Sequence, residues 1–157
     1  MTERDRIRIE RCTGGMLAEW VPLRQALWPE ATAQEHLSEA AILIEDPRHA
    51  VALLARTAEG SAVGFAEATL RHDYVNGCTT SPVVFLEGIY VHPDHRRCGI
   101  ARLLCEAVES WGAGLGCTEF ASDTELGNAG SQRMHIALGF QETERVVYFR
   151  KRLEPRR

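Results

Sequence analysis

Val83-Val84-Phe85-Leu86-Glu87-Gly88-Ile89-Tyr90-Val91 is apolar nearly throughout, and shortly after it the chain reads Arg96-Arg97-Cys98-Gly99-Ile100-Ala101 and then an amphipathic helix. A strand without polar alternation is one that both faces of a sheet bury, and a helix that follows it leads by crossover to a parallel neighbour. Residues 118–122 supply that neighbour, so the segment predicts a strand-helix-strand unit with a parallel pair at its centre. The turn between strand and helix is built for an anion. Gly99 removes a Cβ where backbone N–H groups must approach, Ala101 keeps the first helical turn open, and the positive end of the helix dipole points at the same place. Arg96 and Arg97 add charge-assisted contacts. The spacing Arg-x-x-Gly-x-Ala is neither the dinucleotide fingerprint Gly-x-Gly-x-x-Gly nor the Walker loop with its lysine and hydroxyl.

The other elements read from periodicity and turn signals. Residues 7–11 alternate as a strand and end at Thr13-Gly14-Gly15. Leu17, Trp20, Val21, Leu23, Leu27 and Trp28 recur at helical spacing; Pro22 either starts or kinks that helix, and Pro29 ends it. Thr32 caps a second helix with a Leu37, Ala41, Ile44 stripe, closed by Asp46-Pro47. Residues 50–57 and 62–71 form a hairpin about Glu59-Gly60-Ser61. A helix over 99–112 buries Ile100, Leu103, Leu104, Val108 and Trp111. A short helix over 129–138 ends at Gly139, and a last strand covers 141–151.

At 157 residues, 45% hydrophobic and 25% charged, the chain is expected to be a single domain, 1–157, with a core that needs no disulfide or metal staple. Five cysteines at 12, 78, 98, 105 and 117 are odd in number and lack paired spacing, which predicts a reduced, cytoplasmic protein. The apolar runs are too short to cross a bilayer, and the mixed-charge N-terminus has no apolar region after it, so neither a membrane partner nor a secretory signal is expected. The net charge of −4 argues against a nucleic-acid partner.

Glu87 interrupts the apolar run. Buried and unpaired it would cost several kcal/mol, so it must meet either an arginine partner or a pocket, where it would hold a cationic amine or remove its proton. Asp123 and Glu125 follow the next strand, at the sheet edge where ligands bind in open sheets. Carboxylates grouped around one crevice suit a polyamine, whose ammonium groups each take a counter-ion. Asn128 and Ser131 begin the short helix and have capping as their ordinary role. His135, one turn before Gly139, is either a satisfied polar residue or a proton donor to a leaving thiolate. Trp28 and Tyr74 either close the core or pack against a sugar face or a cation. The arginines and lysine at the C-terminus read as a solvated end.

With these motifs the chain resembles the GCN5-related N-acetyltransferase superfamily. Arg96-x-x-Gly99-x-Ala101 matches its CoA loop, and Asn128 followed by Ala137-Leu138-Gly139-Phe140 matches its second signature. Within it, Leu27-Trp28-Pro29, Arg71-His72-Asp73-Tyr74-Val75-Asn76-Gly77-Cys78, Ser81-Pro82-Val83-Val84-Phe85-Leu86-Glu87-Gly88, Ala121-Ser122-Asp123-Thr124 and the run from Gly139 to Arg145 resemble aminoglycoside 6'-N-acetyltransferases. The resemblance implies an α/β (α+β) fold whose mixed central sheet, flanked by helices, has splayed parallel strands. It implies direct acetyl transfer from acetyl-CoA to the 6'-amine of an aminoglycoside, with resistance to the antibiotic, no metal and commonly a homodimer. It further implies that backbone groups near Ile89 and Val91 bind pantetheine and that Arg96, Arg97, Cys98, Gly99, Ile100 and Ala101 hold the pyrophosphate. Asn128, with Ser131 beside it, would touch the CoA arm. Trp28, Tyr74, Glu87 and Asp123 would line the aminoglycoside site, and Glu144 would reach a neighbouring subunit. Many members carry tyrosine where this chain has His135. Other acceptors, namely a polyamine, a lysine or a protein N-terminus, fit the same acids, and a CoA-binding module without turnover is the reading from another class.

Overall fold

The computed structural model describes residues 6–156, which fall into two compact units divided after Asp123. The first is a mixed sheet with helices. Its elements are β1 (Arg8–Arg11), α1 (Leu17–Leu27), α2 (Ala33–Ile44), β2 (Ala50–Arg56), β3 (Ala62–Arg71), β4 (Val83–Val91), α3 (Ile100–Gly114) and β5 (Phe120–Ser122). The strands lie in chain order, antiparallel from β1 through β4, and β5 runs parallel to β4. The crossover from β4 to β5 through α3 is the strand-helix-strand unit that the apolar run and its basic turn predict.

Alternation along the strands sorts the core into two faces. Ala52, Leu54 and Phe65 pack with Trp20 and Leu23 of α1 and Ala40 of α2. On the opposite face α3 buries Ile100, Leu104, Cys105, Val108 and Gly112. At Gly112 the helix comes so close to β4 that an added Cβ would collide with the Val84 side chain. Trp20 and Phe65 are fully buried, and burying a large apolar side chain is worth roughly 1.5–3 kcal/mol, so α1 is held mainly by this packing. Pro22 lies inside α1, and the helix ends at Leu27 with Trp28 as its C-cap.

Three expectations are corrected. α2 opens with a capping box of Thr32 and Glu35, and His36 and Ala40 face the core while Leu37 and Ile42 are exposed. Of the stripe read from the sequence, Leu37 is thus on the outside, whereas Ile44 packs against the core. In β4 only Val83 to Leu86 and Val91 are buried, and Glu87 is exposed. The second unit contains α4 (Ala129–Ala137), closed by Gly139 at φ +95°, and residues 141–156 carry no strand. Val147, Tyr148 and Phe149 have the β-branched and aromatic character of a strand, but a strand exists only through ladder hydrogen bonds to a neighbour, and these three are exposed.

Arg56 ties β2 to its surroundings. Its Nε donates to Glu10 Oε2 on β1 at 2.7 Å, its two terminal nitrogens bind the Glu19 carboxylate on α1, and Nη1 also donates to the Gly60 carbonyl. These hydrogen bonds hold the Glu10 and Glu19 carboxyls below the ordinary carboxylate range. Carboxylates lowered in the folded state stabilise it above their unfolded pKa, and that contribution is lost as the pH falls through the lowered value. Arg56→Met is therefore expected to lower the urea midpoint at pH 7, with the gap to the unaltered protein narrowing toward pH 2–3 as measured by circular dichroism.

Candidate active site

The decisive irregularity is in β4. Glu67 of β3 pairs with Gly88 and Ala68 pairs with Leu86, so Glu87 is an extra residue between two rungs of the ladder. Such a bulge bends the strand and re-aims a side chain. Thr69 Oγ1 donates to Glu87 Oε1 at 2.7 Å, and Arg71 Nη2 lies 3.0 and 3.2 Å from the two carboxylate oxygens. The Arg71 guanidinium also lies over the Phe85 ring, 3.5 Å from its centroid. Glu87 thus has the arginine partner that was one of its two readings. Its side chain is 34% exposed, which leaves the carboxylate open to solvent and to a solute cation while paired.

The parallel pair ends at the same level. Its last rung is Leu86 with Ser122, and Glu87 and Asp123 each come one residue later, at the C-terminal edge of the two strands. Beyond it β4 continues through Ile89 and Val91, paired with Ala66 and Gly64 of β3, without a β5 partner. The two central strands part here, as in the splay that the resemblance implies, and edges of this kind are where ligands of open sheets bind.

Trp28 lies against the bulge. A Cβ at Gly88 would collide with the edge of its indole, so glycine beside Glu87 is what lets the ring approach the strand. The ring also stands edge-on to Phe65 at 5.9 Å. Tyr74 sits in the loop that follows β3 and is largely exposed. Its neighbour Val75 is buried with Val83 and Phe85, and Glu119 accepts hydrogen bonds from the backbone N–H groups of Thr79 and Thr80 at 2.9 and 2.7 Å. The loop is thereby anchored on both sides of Cys78 while Tyr74 faces outward.

After β4 a 3-10 turn, Pro93–His95, leads into Arg96-Arg97-Cys98-Gly99. Arg97 has φ +64° and Gly99 φ +81°, both left-handed, and Gly99 is the N-cap of α3 with no side-chain capping bond. The first N–H groups of α3 have no acceptor within the helix, the arrangement that suits a phosphate. Arg96 turns back, donating from Nε to the Val91 carbonyl at 2.8 Å with its guanidinium 5.6 Å from the Tyr90 ring centroid. It anchors the loop to the end of β4, which the sequence reading did not anticipate.

In the second unit Asn128 caps α4, its Oδ1 accepting from the Ser131 N–H at 3.0 Å. The His135 ring packs edge-on against Phe140, and its Nδ1 lies 2.7 Å from the Ser131 carbonyl. A carbonyl only accepts, so Nδ1 carries the proton and donation from Nε2 requires a second one. Glu144 is exposed in the segment after α4.

Sequence reasoning missed the most buried polar group of the first unit. Arg24 of α1, His36 of α2 and Glu67 of β3 are all buried, and Arg24 pairs with Glu67 and with Glu39. Trp20 Nε1 donates to Glu67 Oε2 at 2.9 Å. Burial pushes the Glu67 carboxyl up, against the opposing pull of Arg24 and Trp20. The signal was present: Trp20, Arg24 and Trp28 share one helix face, and Glu67 follows Val63 and Phe65 on the inward positions of β3. Among the described residues no group of His, Cys, Asp and Glu could hold a metal ion. All five cysteines are free thiols; burial pushes Cys105 up to about 12 and Cys12 higher, which leaves both inert.

Residues 17–140 match the acetyltransferase (GNAT) family. An aminoglycoside N(6')-acetyltransferase type 1 of Serratia marcescens is 49% identical over 142 residues, covering 90% of this chain and 97% of its own. Among solved structures, aminoglycoside 6'-N-acetyltransferase AAC(6')-Ih of Acinetobacter baumannii is 48% identical, with a TM-score of 0.90 over 94% of this chain and 99% of the other. AAC(6')-Iy in complex with the bisubstrate analogue CoA-S-monomethyl-acetylneamine is 47% identical, with a TM-score of 0.88 and the same coverage. The bulged β4, the parting of β4 from β5 and the glycine N-cap of α3 thus occur in a chain that belongs to the acetyltransferase (GNAT) family and, within it, to the aminoglycoside 6'-N-acetyltransferases.

Proposed function

We propose that this enzyme transfers the acetyl group of acetyl-CoA to the 6'-amine of aminoglycosides by direct attack within a ternary complex, and that resistance to the antibiotic follows. The observation that carries the reading is the bulge, which sets the Glu87 carboxylate at the point where β4 and β5 part, beside Asp123 and on the strand that leads into the anion loop. Ile100, Ala101 and the residues before them suit a pyrophosphate, because Gly99, the N-cap of α3, has no side chain to take up the first N–H groups of the helix. Arg96, Arg97 and Cys98 complete that loop, with Ile89 and Val91 supplying backbone groups to the pantetheine.

An amine attacks only when neutral, so Glu87, or a water that it holds, accepts the ammonium proton. The nitrogen then adds to the thioester carbonyl, the oxyanion meets a backbone N–H of β4, and the C–S bond breaks to release CoA as thiol or thiolate. Trp28, Tyr74 and Asp123 are the acceptor-side residues of this reading. Asn128 and Ser131 belong to the CoA side, and Glu144 to the acceptor site of a second subunit. His135 is the candidate proton donor, and its Nδ1–H bond to Ser131 makes the imidazolium the form that can donate from Nε2. The reading takes the whole chain as one N-acetyltransferase domain acting in the cytoplasm as a homodimer. The exposed Val147, Tyr148 and Phe149 support the dimer.

Glu87→Ala is expected to lower the rate of thiol release from acetyl-CoA with kanamycin or tobramycin at least tenfold at neutral pH, with KM for acetyl-CoA unchanged. An aminoglycoside without a 6'-amine is expected to give no thiol release and no product by mass spectrometry; its acetylation would assign the wrong nitrogen. Sedimentation equilibrium is expected to give twice the chain mass, and Tyr148→Asp is expected to return the chain mass.

A further inference from the structure

Trp28 owes its place to a group of polar side chains that the chemistry above does not use. Its backbone N–H donates to the Arg24 carbonyl at 2.8 Å, and its own carbonyl lies 2.9 Å from His36 Nε2. Arg24 Nε lies 3.3 Å from His36 Nδ1. A guanidinium only donates and a carbonyl only accepts, so the His36 ring accepts at Nδ1 and donates from Nε2, and both nitrogens are committed. The same ring is stacked on the indole, centroids 6.4 Å apart and planes 21° from parallel. The Arg24 guanidinium covers the indole at 4.9 Å and is itself fixed by Glu67. Arg24, His36 and Glu67 are 3%, 1% and 2% exposed. A cation and a carboxylate brought this far out of water are rarely worth net stability over apolar residues of the same size, so their retention calls for another role. The group ends at a partly buried ring pressed on Gly88, next to Glu87.

We propose that Arg24, His36 and Glu67 form a positioning device for the acceptor site, with His36 as its key member, that fixes the Trp28 indole against the β4 bulge and so sets the affinity for the aminoglycoside. This inference rests on the reading that Trp28 lines the acceptor site. The fork of Arg24 reads Glu67 on the sheet, Glu39 on α2 and the face of the indole at once, and His36 transmits the position of α2 to the backbone of Trp28. A lysine at 24 would keep a charge for Glu67 but neither the planar cover nor the bond to His36. Glutamine at 36 would keep a donor near the position of Nε2, whereas phenylalanine would keep only a ring.

The test is steady-state kinetics of the full chain with tobramycin and acetyl-CoA, together with 19F NMR of protein labelled with 5-fluorotryptophan, the Trp28 resonance being assigned by Trp28→Phe. His36→Phe is expected to raise KM for tobramycin at least fivefold, leave KM for acetyl-CoA within twofold and move the Trp28 resonance, and His36→Gln is expected to restore most of the loss. Arg24→Lys is expected to act in the same direction and decides the matter if His36→Phe does not fold. Trp28→Ala separates the two ideas. If it raises KM for tobramycin while the His36 and Arg24 variants leave both KM and resonance in place, the positioning role is wrong and the reading of Trp28 stands. If the His36 and Arg24 variants raise both KM values together, or lower only the melting temperature, the cluster is merely structural and the proposal is overturned. If Trp28→Ala leaves KM for tobramycin unchanged, Trp28 is not in the acceptor site, and that reading and the proposal fall together.

Discussion

One additional residue in β4 divides the strand into two kinds of environment. Before the bulge, Val83 to Leu86 are buried and paired with β3 on one side, and β5 takes up Val84 to Leu86 on the other. After it, β3 still pairs with β4 as far as Val91, but β5 has ended. A regular strand would have put residue 87 directly opposite Glu67 and carried the ladder on unbroken. The bulge instead sets Gly88 opposite Glu67, where the absence of a Cβ admits the Trp28 ring, and leaves the Glu87 carboxylate to Thr69 and Arg71. The placing of the acid and of the aromatic therefore depends on a single register shift, which explains how four consecutive buried residues can adjoin a chemically accessible one.

Two charge systems then hold helices and strands to this frame by different means. Arg56 joins Glu10 and Glu19 near the surface, where such pairs are individually weak and gain from being shared. Arg24 and Glu67 are almost fully withdrawn from water, where each charge would be costly alone and the pair is sustained by further bonds to Trp20 and Glu39. The first system fastens β1 and α1 to β2. The second lies directly beneath Trp28 and orients rather than merely fastens.

What could be read from the chain follows from how local each constraint is. The apolar run, its basic turn and the helix after it are legible because a strand, a left-handed glycine and an open helix N-terminus are fixed by neighbouring residues, and the bounds of β4 were read to the residue. The start of α2 was legible, since Thr32 is its N-cap, but its buried face was misread because a histidine at 36 carries no apolar signal although it is buried. Arg24 and Glu67 went unnoticed for the same reason: each breaks an apolar stripe, and only their proximity across 43 positions of sequence makes the breaks compatible with burial. Glu87 was recognised as anomalous, yet its exposure depends on the bulge, and one-residue insertions in a ladder leave no trace in alternation when both faces are apolar. Residues 141–151 read as a strand from Val146 to Phe149 yet have no ladder, because pairing is a property of two segments, not of one.

The loop from Arg96 to Gly99 adds a constraint at the C-terminal end of β4. A left-handed arginine costs about 1–2 kcal/mol relative to glycine or to a right-handed conformation, and Arg97 sits at φ +64° two residues before Gly99. Strain of this size persists only where surrounding contacts impose it. Arg96 provides them: its Nε bond to the Val91 carbonyl draws the loop back onto the end of β4, so the chain must turn sharply to start α3. That bond uses a carbonyl of the strand whose bulge holds Glu87, four residues away. The loop and the Glu87 carboxylate are thus registered through one short stretch of backbone rather than through a hinge, and the distance between them is set by the same strand geometry that keeps β4 in the core.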